Sequence, residues 1–256
     1  MERFANRRVL ITGAGSGIGR ATVHRILSEG GAVVGADVNE AGLAETAKQA
    51  AEKGAADRLT TLTIDISDEA SVQAGVGSAV SALGGLDVLV NAAGILRSAH
   101  THEMPLADWN RIITTNLTGT FLMIRESLPA LLESGHGVIV NFASTSTFFA
   151  HPYMSAYAAS KGGIMSMTHA LAAEYAKQGL RAVAVAPGSI SSDMTDGRGP
   201  GIPADADMSL FMKLVPAIGQ GFASPDTVAG VVAMLASDDG AFITGTEIRI
   251  DGGTHA

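Results

Sequence analysis

Short apolar runs alternate with longer stretches of helical periodicity along the whole chain. Most of the runs lack polar alternation, which is typical of strands covered on both faces. The predicted strands are residues 8–11, 32–36, 59–64, 86–90, 138–142, 182–186 and 247–250. The predicted helices are residues 17–28, 40–52, 69–83, 108–132, 155–177 and 225–236. This alternation predicts an α/β fold in which right-handed crossovers build a doubly wound parallel sheet of about seven strands, with helices on both faces.

We expect one domain over residues 1–256, in which one long stretch, 187–223, has no regular period. A loop of that length inside a compact domain is usually functional or disordered. It contains a short apolar segment, Met208, Leu210, Phe211, Met212 and Leu214. We therefore predict a substrate-covering loop near residues 188–223. Beyond it, Ser224 and Pro225 read as an N-cap and first helical residue, and Gly179 as a helix stop.

Net charge and the content of cysteine and histidine exclude or disfavour several classes of function. The formal net charge of −8 disfavours nucleic acid and anionic membrane surfaces as main partners. We interpret the basic residues Arg3, Arg7 and Arg8 as solvated residues beside the first strand. There is no cysteine, which excludes disulfides and thiolate chemistry. His151 has no second ligand at a suitable spacing, so we expect no metal site.

The first strand shows no secretory signal. The uncharged stretch 134–160 is broken by glycine, proline and polar residues, so it reads as core and pocket wall rather than as a membrane span. We expect a soluble cytoplasmic protein that acts on a small molecule.

Residues 9–19 read V-L-I-T-G-A-G-S-G-I-G, a strand that enters a glycine-dense turn before a helix. Such a turn needs positive φ angles and close backbone approach, and the helix N-terminus then presents unpaired N–H groups to a pyrophosphate. The spacing of Gly13, Gly17 and Gly19 is G-x-x-x-G-x-G, not G-x-G-x-x-G, and a tight turn without a ligand is the alternative.

Asp37 ends the second strand, where a carboxylate can accept both hydroxyls of an adenosine ribose. The same charge repels a 2′-phosphate, and neither Ser16 nor Val38 is basic. The sequence therefore favours NAD over NADP. A solvated aspartate at a strand end is the alternative.

Residues 157–161 read Y-A-A-S-K, which places Tyr157 and Lys161 one helical turn apart on a common face. A free phenol has a pKa near 10, too high for a base at neutral pH. A nearby ammonium and the positive charge of oxidised nicotinamide both favour the phenolate. A tyrosine that only packs on a lysine stem is the alternative.

These motifs occur in order with five others: N-A-A-G at 91–94, Asn116, Ser144, and the P-G and D-G-G of residues 187–188 and 251–253. Over essentially its whole length the chain resembles the short-chain dehydrogenase/reductase family. The resemblance implies a Rossmann-type fold and a nicotinamide coenzyme.

The resemblance also implies residue roles. Tyr157 would be the general acid/base, Ser144 would orient the substrate oxygen, and Lys161 would bind the nicotinamide ribose and lower the phenol pKa. Asn116 would hold a water that links Lys161 to solvent. The implied coenzyme-binding residues are Gly13, Ser16, Gly17, Ile18, Gly19, Asp37, Asp65, Ile66, Asn91, Ala92, Gly94, Tyr157, Lys161, Pro187, Gly188, Ile190 and Ser192.

Some of these residues have more specific expected contacts. Asp65 and Ile66 would contact adenine, although Asp65 can equally cap the helix near Glu69. Asn91 would support the central strands and line the adenosine side, and Ile190 would bind the carboxamide through its backbone.

The sequence departs from the family pattern at two positions. Ser192 stands where threonine is common, and Thr147 stands where glycine is common, which would alter a pocket wall. The candidate pocket walls are Leu96, Thr145, Ser146, Phe149, Tyr153, Met154, Met194 and the segment near Phe211. The helix at 155–177 is apolar all round, and the resemblance implies that it pairs with the 108–132 helix across subunits of a homotetramer.

Three functions remain open. The first is NAD-dependent dehydrogenation of a secondary alcohol with Tyr157 as the proton-transfer group. The second is ketone reduction, including a 3-oxoacyl thioester on an acyl carrier, which Asp37 and the acidic balance disfavour. The third is a non-enzymatic NAD sensor, which would not need Ser144, Tyr157 and Lys161 together.

Overall fold

A computed structural model describes residues 2–192, 201–219 and 221–254. Seven strands form one parallel sheet, as the sequence predicts. They are β1 (Arg8–Thr12), β2 (Ala32–Asp37), β3 (Leu59–Thr63), β4 (Val88–Asn91), β5 (Val138–Phe142), β6 (Arg181–Pro187) and β7 (Glu247–Ile250). The order across the sheet is β3-β2-β1-β4-β5-β6-β7.

Seven α-helices connect or flank these strands. They are α1 (Gly17–Ser28), α2 (Glu40–Glu52), α3 (Glu69–Leu83), α4 (Leu106–Ile112), α5 (Gly119–Glu133), α6 (Ser155–Tyr175) and α7 (Pro225–Ala236). The predicted helix over 108–132 lies within one helical run over 106–133, but that run is not α-helical throughout. A π-helical segment, Ile113–Thr118, separates α4 from α5 and contains Asn116. One extra residue in a turn leaves no mark on an apolar pattern, so the sequence alone did not reveal it.

The strand order changes direction between β1 and β4. The chain moves outward from β1 through β2 to β3 and then returns to the other side of β1, where Thr12 lies beside Asn91. The loops after β1 and β4 diverge to opposite faces at this point. A doubly wound sheet opens its ligand crevice there, at the carboxyl ends of the strands.

Alternate residues of the strands build two apolar layers. Val9 and Ile11 face a layer that contains apolar residues of α1, α2 and α7, whereas Leu10 faces a layer with residues of α3, α5 and α6. Both faces of the sheet are therefore covered, which explains the unbroken apolar runs in the strands.

The helix caps agree with the sequence predictions at Ser224 and Gly179 but not at Asp65. The Ser224 hydroxyl accepts a hydrogen bond from the N–H of Asp226, and Gly179 has a φ of 82°. Asp65 does not cap α3, because Asp68 is the N-cap and accepts from the N–H of Ala70.

The three basic residues near the start are not solvated, contrary to expectation. Arg3 pairs with Glu29 and Asp239, Arg7 with Asp238, and Arg8 with Asp87. Each joins the first residues of the chain to an element distant in sequence, which the sequence pattern could not indicate. In the part of the chain that the structure describes, no helix is long and apolar enough to cross a membrane.

The Arg8–Asp87 pair links the start of β1 to the residue before β4. The Asp87 carboxylate is buried and accepts from the Arg8 backbone N–H at 2.8 Å and from the guanidinium at 2.9 and 2.7 Å. Burial alone would raise the pKa of Asp87, but the hydrogen bonds from Arg8 outweigh it and the pKa is lowered. The pair therefore stabilises the fold while Asp87 is ionised.

We predict that Asp87→Asn lowers the free energy of unfolding at pH 7 by about 2 kcal/mol, because charge-assisted hydrogen bonds are lost. The folded-state pKa lies below the unfolded value, so this stabilisation is complete above about pH 5 and declines as the pH falls through the carboxyl range. Urea unfolding from pH 7 to pH 3.5 measures the gap, with exposed Asp57→Asn as control. A gap that stays constant with pH would contradict the assignment.

Candidate active site

A cleft of about 1350 Å³ lies along the carboxyl edge of the sheet. This volume exceeds that of most small-ligand pockets and suits a dinucleotide beside a substrate. All the predicted site residues except Asn91 and Asn116 line it. Gly13 and Tyr157, which are 144 positions apart in the chain, therefore line the same cleft.

The turn between β1 and α1 forms one end of the cleft. Gly13 has a φ of 71°, and a Cβ there would lie 2.8 Å from the backbone nitrogen of Ala93. A Cβ on Gly19 would lie 2.0 Å from the Gly13 carbonyl oxygen. Ser16 precedes α1 and makes no side-chain cap, so the first N–H groups of the helix keep their capacity for an anion. The cradle fits a pyrophosphate.

Asp37 stands next to this cradle. Its carboxylate accepts from the Gly15 N–H at 2.9 Å and from the Asn39 N–H at 2.9 Å, and it lines the cleft. The two backbone N–H groups hold the carboxylate in place beside the turn. Each oxygen keeps a lone pair for a further donor, which fits a ribose hydroxyl.

One arginine lies close to Asp37 but is already engaged. The Arg20 guanidinium donates to the Thr46 hydroxyl at 2.9 Å and to the carbonyls of Gly15 and Gly42. It does not line the cleft. These contacts tie α1 to α2 and engage the guanidinium.

Asp65 and Ile66 follow β3 and line the same end of the cleft. The Asp65 carboxylate accepts from the N–H and the hydroxyl of Ser67 at 2.9 and 2.6 Å, which fixes a turn. Ile66 is buried to 6% exposure against Gly119, where a Cβ would lie 2.6 Å from the Ile66 carbonyl oxygen. The pair is thus a fixed wall on the adenosine side.

Tyr157 and Ser144 form the centre of the other end. Ser144 follows β5 and its hydroxyl oxygen accepts from the Ser146 N–H at 3.1 Å. That contact leaves the hydroxyl proton free to be donated. Burial raises the pKa of Tyr157, and a hydrogen bond with the Ser144 hydroxyl opposes the rise. The phenol is therefore held neutral in the free protein.

Lys161 is buried at the same place. Its ammonium donates to the Phe142 carbonyl at 2.7 Å and lies 5.7 Å from the centre of the Tyr157 ring. Burial lowers the pKa of Lys161 to about 8, which leaves it mostly charged at neutral pH. A buried ammonium one helical turn from the phenol can stabilise the phenolate, and it can also donate a hydrogen bond to a ribose hydroxyl.

Asn116 holds the cleft wall rather than facing the cleft directly. Within the π-helical segment its side chain accepts from the Ile95 N–H at 2.8 Å and donates to the Ile95 carbonyl at 2.9 Å and to the Ser160 hydroxyl at 3.1 Å. A Cβ on Gly94 would lie 3.2 Å from the Asn116 oxygen and 3.6 Å from the Lys161 nitrogen. Asn116 thus fixes the loop after β4 beside Lys161.

A model of the short chain dehydrogenase family matches residues 7–202. The chain belongs to this family. It is 36% identical to 2-(S)-hydroxypropyl-CoM dehydrogenase 3 of Xanthobacter autotrophicus over 100% of this chain and 99% of that protein. It is 35% identical to a 3-oxoacyl-[acyl-carrier-protein] reductase of Thermotoga maritima over 98% of each.

A crystal structure of a dehydrogenase/reductase from Sinorhizobium meliloti 1021 has a TM-score of 0.88 to this chain, at 32% identity, and covers 100% of this chain and 98% of that one. This short-chain dehydrogenase is therefore an oxidoreductase with a Rossmann-type sheet, and its family uses a nicotinamide coenzyme.

Asn91 lies outside the cleft of this dehydrogenase. It is buried in β4 and donates to the Asn141 side chain at 2.9 Å, which in turn donates to the Thr168 hydroxyl at 2.9 Å. The expected support of the central strands agrees with this chain of hydrogen bonds across β4, β5 and α6. The expected contact with the adenosine side does not, because the Asn91 side chain points into this network.

The segment after β6 closes the cleft from above. Pro187, Gly188, Ile190 and Ser192 line it, and Ile190 bridges Ala223. The bridge uses the Ser191 N–H and the Ser189 carbonyl, each 2.9 Å from Ala223. A Cβ on Gly17 would lie 3.3 Å from the Ser192 Cβ, so Ser192 lies beside the phosphate cradle.

The apolar segment of the long loop forms a short 3₁₀-helix, Met208–Leu214. Phe211 and Leu214 line the cleft, whereas Met208 and Met212 are exposed. Tyr153 anchors the segment, because its ring stacks on Phe211 at 5.9 Å and its hydroxyl accepts from the Asp207 N–H at 2.9 Å.

Several predicted pocket walls lie elsewhere. Leu96, Thr145, Met154 and Phe211 line the cleft, but Ser146, Thr147, Phe149 and Tyr153 do not. Phe149 instead lies under the Arg249 guanidinium at 5.4 Å. Met194 lies outside the described residues. Residues near a catalytic serine in sequence point to both sides of the chain, which spacing alone cannot resolve.

Sequence reasoning missed many of the residues that line the cleft, among them three with basic or imidazole side chains. His151, predicted to be a plain loop residue, lines the cleft with its Nε2 3.2 Å from the Thr145 hydroxyl. Arg97 and Arg111 also line it. No sequence motif marks them, although each lies within six residues of one that does.

Proposed function

We propose that this enzyme interconverts a secondary alcohol and a ketone with NAD as hydride carrier and Tyr157 as the general acid/base. The observation that carries this proposal is that Tyr157 lies beside buried Lys161 and lines, together with Ser144, the same cleft as the glycine cradle and Asp37. Proton transfer and dinucleotide binding can therefore occur side by side.

When bound, the coenzyme would supply or accept the hydride. In the direction of reduction, the neutral Tyr157 phenol donates its proton to the substrate oxygen. The Ser144 hydroxyl, its oxygen fixed by the Ser146 N–H, donates to the same oxygen and orients it. In oxidation the proton moves from the alcohol to Tyr157.

Oxidation requires a more acidic phenol than burial alone provides. Burial raises the pKa of Tyr157, so the positive charges of Lys161 and of oxidised nicotinamide must lower it. Lys161 lies close enough to act in this way and can also hold a ribose hydroxyl. We propose that a water held near Asn116 links Lys161 to solvent and relays protons between them.

Asp37 supports NAD rather than NADP. Its carboxylate is held at the cradle by two N–H groups, and the nearby Arg20 is engaged with Thr46 and two carbonyls. A 2′-phosphate at this place would meet the negative charge of Asp37, and the nearby Arg20 is not free to offset it. The ribose hydroxyls of NAD would instead donate to it.

The second candidate is reduction of a 3-oxoacyl thioester. The 35% identity to the Thermotoga maritima reductase favours it. The net charge of −8 disfavours it, because an acyl carrier protein is itself acidic.

We further propose that residues 1–256 form one domain, that the loop near 188–223 covers the substrate, and that the enzyme is a cytoplasmic homotetramer. Phe121 on α5 is 45% exposed, and α6 presents small exposed residues, Ser166, Ala170 and Ala173. An exposed aromatic and a smooth helix face are suited to close packing between subunits.

The first prediction is that Tyr157→Phe lowers kcat at least 1000-fold, because the proton donor is removed, while the Kd for NADH changes less than threefold. Stopped-flow turnover and NADH fluorescence measure the two quantities. Tyr175→Phe, at the end of α6 and away from the cleft, is the matched control and should keep full activity. Retained turnover in Tyr157→Phe would refute the role.

The second prediction concerns the coenzyme. The wild-type enzyme should bind NADH at least 100-fold more tightly than NADPH, and Asp37→Asn should reduce that ratio at least tenfold by removing the repulsion. Fluorescence titration of both coenzymes gives the ratio. Exposed Asp57→Asn controls for net charge. Equal affinities in the wild type would overturn the choice of NAD.

The third prediction concerns assembly. Sedimentation velocity at micromolar concentration should give a species of four chains, and Phe121→Glu should shift it towards smaller species because a charge would enter an apolar interface. Glu133→Gln, at the exposed end of α5, is the control. A wild-type monomer would reject the tetramer.

A further inference from the structure

Two arginines differ from all the others that the structure describes. Each of the others has a hydrogen bond, an ion pair or an aromatic contact. Within the described ranges Arg97 and Arg111 have none of these contacts, and both line the cleft. The chain has 25 acidic and 17 basic residues, so acidic partners are plentiful elsewhere. The two guanidinium groups without a partner therefore lie where a ligand would enter.

Arg97 belongs to the catalytic end of the cleft. Asn116 holds both backbone groups of Ile95, and the Ala99 N–H donates to the Tyr153 carbonyl at 2.9 Å. Arg97 is two residues from each anchor, so its Cα lies within about 7 Å of both. Asn116 lies near Lys161, and Tyr153 directly precedes Met154. Lys161 and Met154 both line the end of the cleft that contains Tyr157.

Arg111 belongs to α4, which forms another part of the cleft wall. Ala107, Arg111 and Thr114 are spaced three or four apart and line the cleft, so one face of this helical stretch faces it. The adenosine side begins at Gly119, which contacts Ile66. Arg111 precedes Gly119 by eight residues, about 12 Å along the helix axis, and so lies away from the adenosine wall.

We propose that Arg97 and Arg111 form an anion subsite that binds a carboxylate on the substrate, remote from the reacting carbon. The substrate would then be a secondary hydroxy acid or the matching oxo acid. Guanidinium groups bind carboxylates through paired, charge-assisted hydrogen bonds, and a cleft concentrates that interaction. This inference rests on the proposed function for the identity of the reacting group.

The test compares oxo acids with their methyl esters, which differ in charge but share the ketone. The probes are 4-oxopentanoate, 5-oxohexanoate and 6-oxoheptanoate, each beside its ester. Binding is measured by NADH fluorescence in the Tyr157→Phe enzyme, which needs no turnover. At least one acid should bind tenfold or more tightly than its ester, a preference that Arg97→Ala/Arg111→Ala should abolish without changing ester binding.

Turnover in the Tyr157-containing enzyme gives the second readout. The double variant should lower kcat/KM for the preferred acid 10- to 100-fold and leave kcat/KM for the ester unchanged. Arg97→Lys/Arg111→Lys should recover part of the loss, because charge returns without the planar fork. Lys53→Ala, which removes an exposed cation at the end of α2, should have no effect.

The outcomes separate the two proposals. Acid-selective binding without turnover of any probe would support the subsite and count against the proposed reaction. Acids that bind no better than their esters would overturn the subsite. So would a double variant that weakens NADH binding tenfold while keeping the acid preference, because the arginines would then serve the coenzyme phosphates. Both side chains are exposed, so the melting temperature should be unchanged, which confirms folding.

Discussion

The whole site depends on one close approach of backbone to backbone, where the turn after β1 touches the loop after β4. At Gly13 a single added carbon would lie 2.8 Å from the nitrogen of Ala93. Only glycine has the positive φ and the missing side chain that this contact requires. The contact sets the floor of the cleft and fixes the two loops that carry the cradle and the wall near Lys161.

A network of polar side chains links the loop after β4 to α6. Asn116 fixes Ile95, and its link to Ser160 continues to the carbonyl of Tyr157, which accepts from the Ser160 hydroxyl at 2.7 Å. Beneath it, Asn91, Asn141 and Thr168 join β4, β5 and α6. Buried polar groups that are mutually bonded tolerate little displacement. The two groups that we propose to react, Tyr157 and Lys161, are therefore supported by side chains that do not themselves line the cleft.

The strands, most helices and most of the site could be predicted from the sequence because each rests on a local pattern. Glycine spacing marks the cradle, an acidic residue at a strand end marks Asp37, and one helical turn separates Tyr157 from Lys161. The π-helical segment could not be predicted, since one extra residue in a turn does not change the apolar pattern. The ion pairs of Arg3 and Arg7, and the Tyr153–Phe211 stack, join parts distant in sequence and leave no periodic trace.

The single bridge between Ile190 and Ala223 has an evolutionary consequence. It brings residues 190 and 223 together at the rim of the sheet, so the two ends of the loop between them are held close to each other. Doubling such a loop costs only about 0.6 kcal/mol in closure entropy. Relatives can therefore exchange, lengthen or shorten this segment and acquire new substrates while Ser144 and Tyr157 keep their places. In this fold, substrate preference can therefore change through the loop between Ile190 and Ala223.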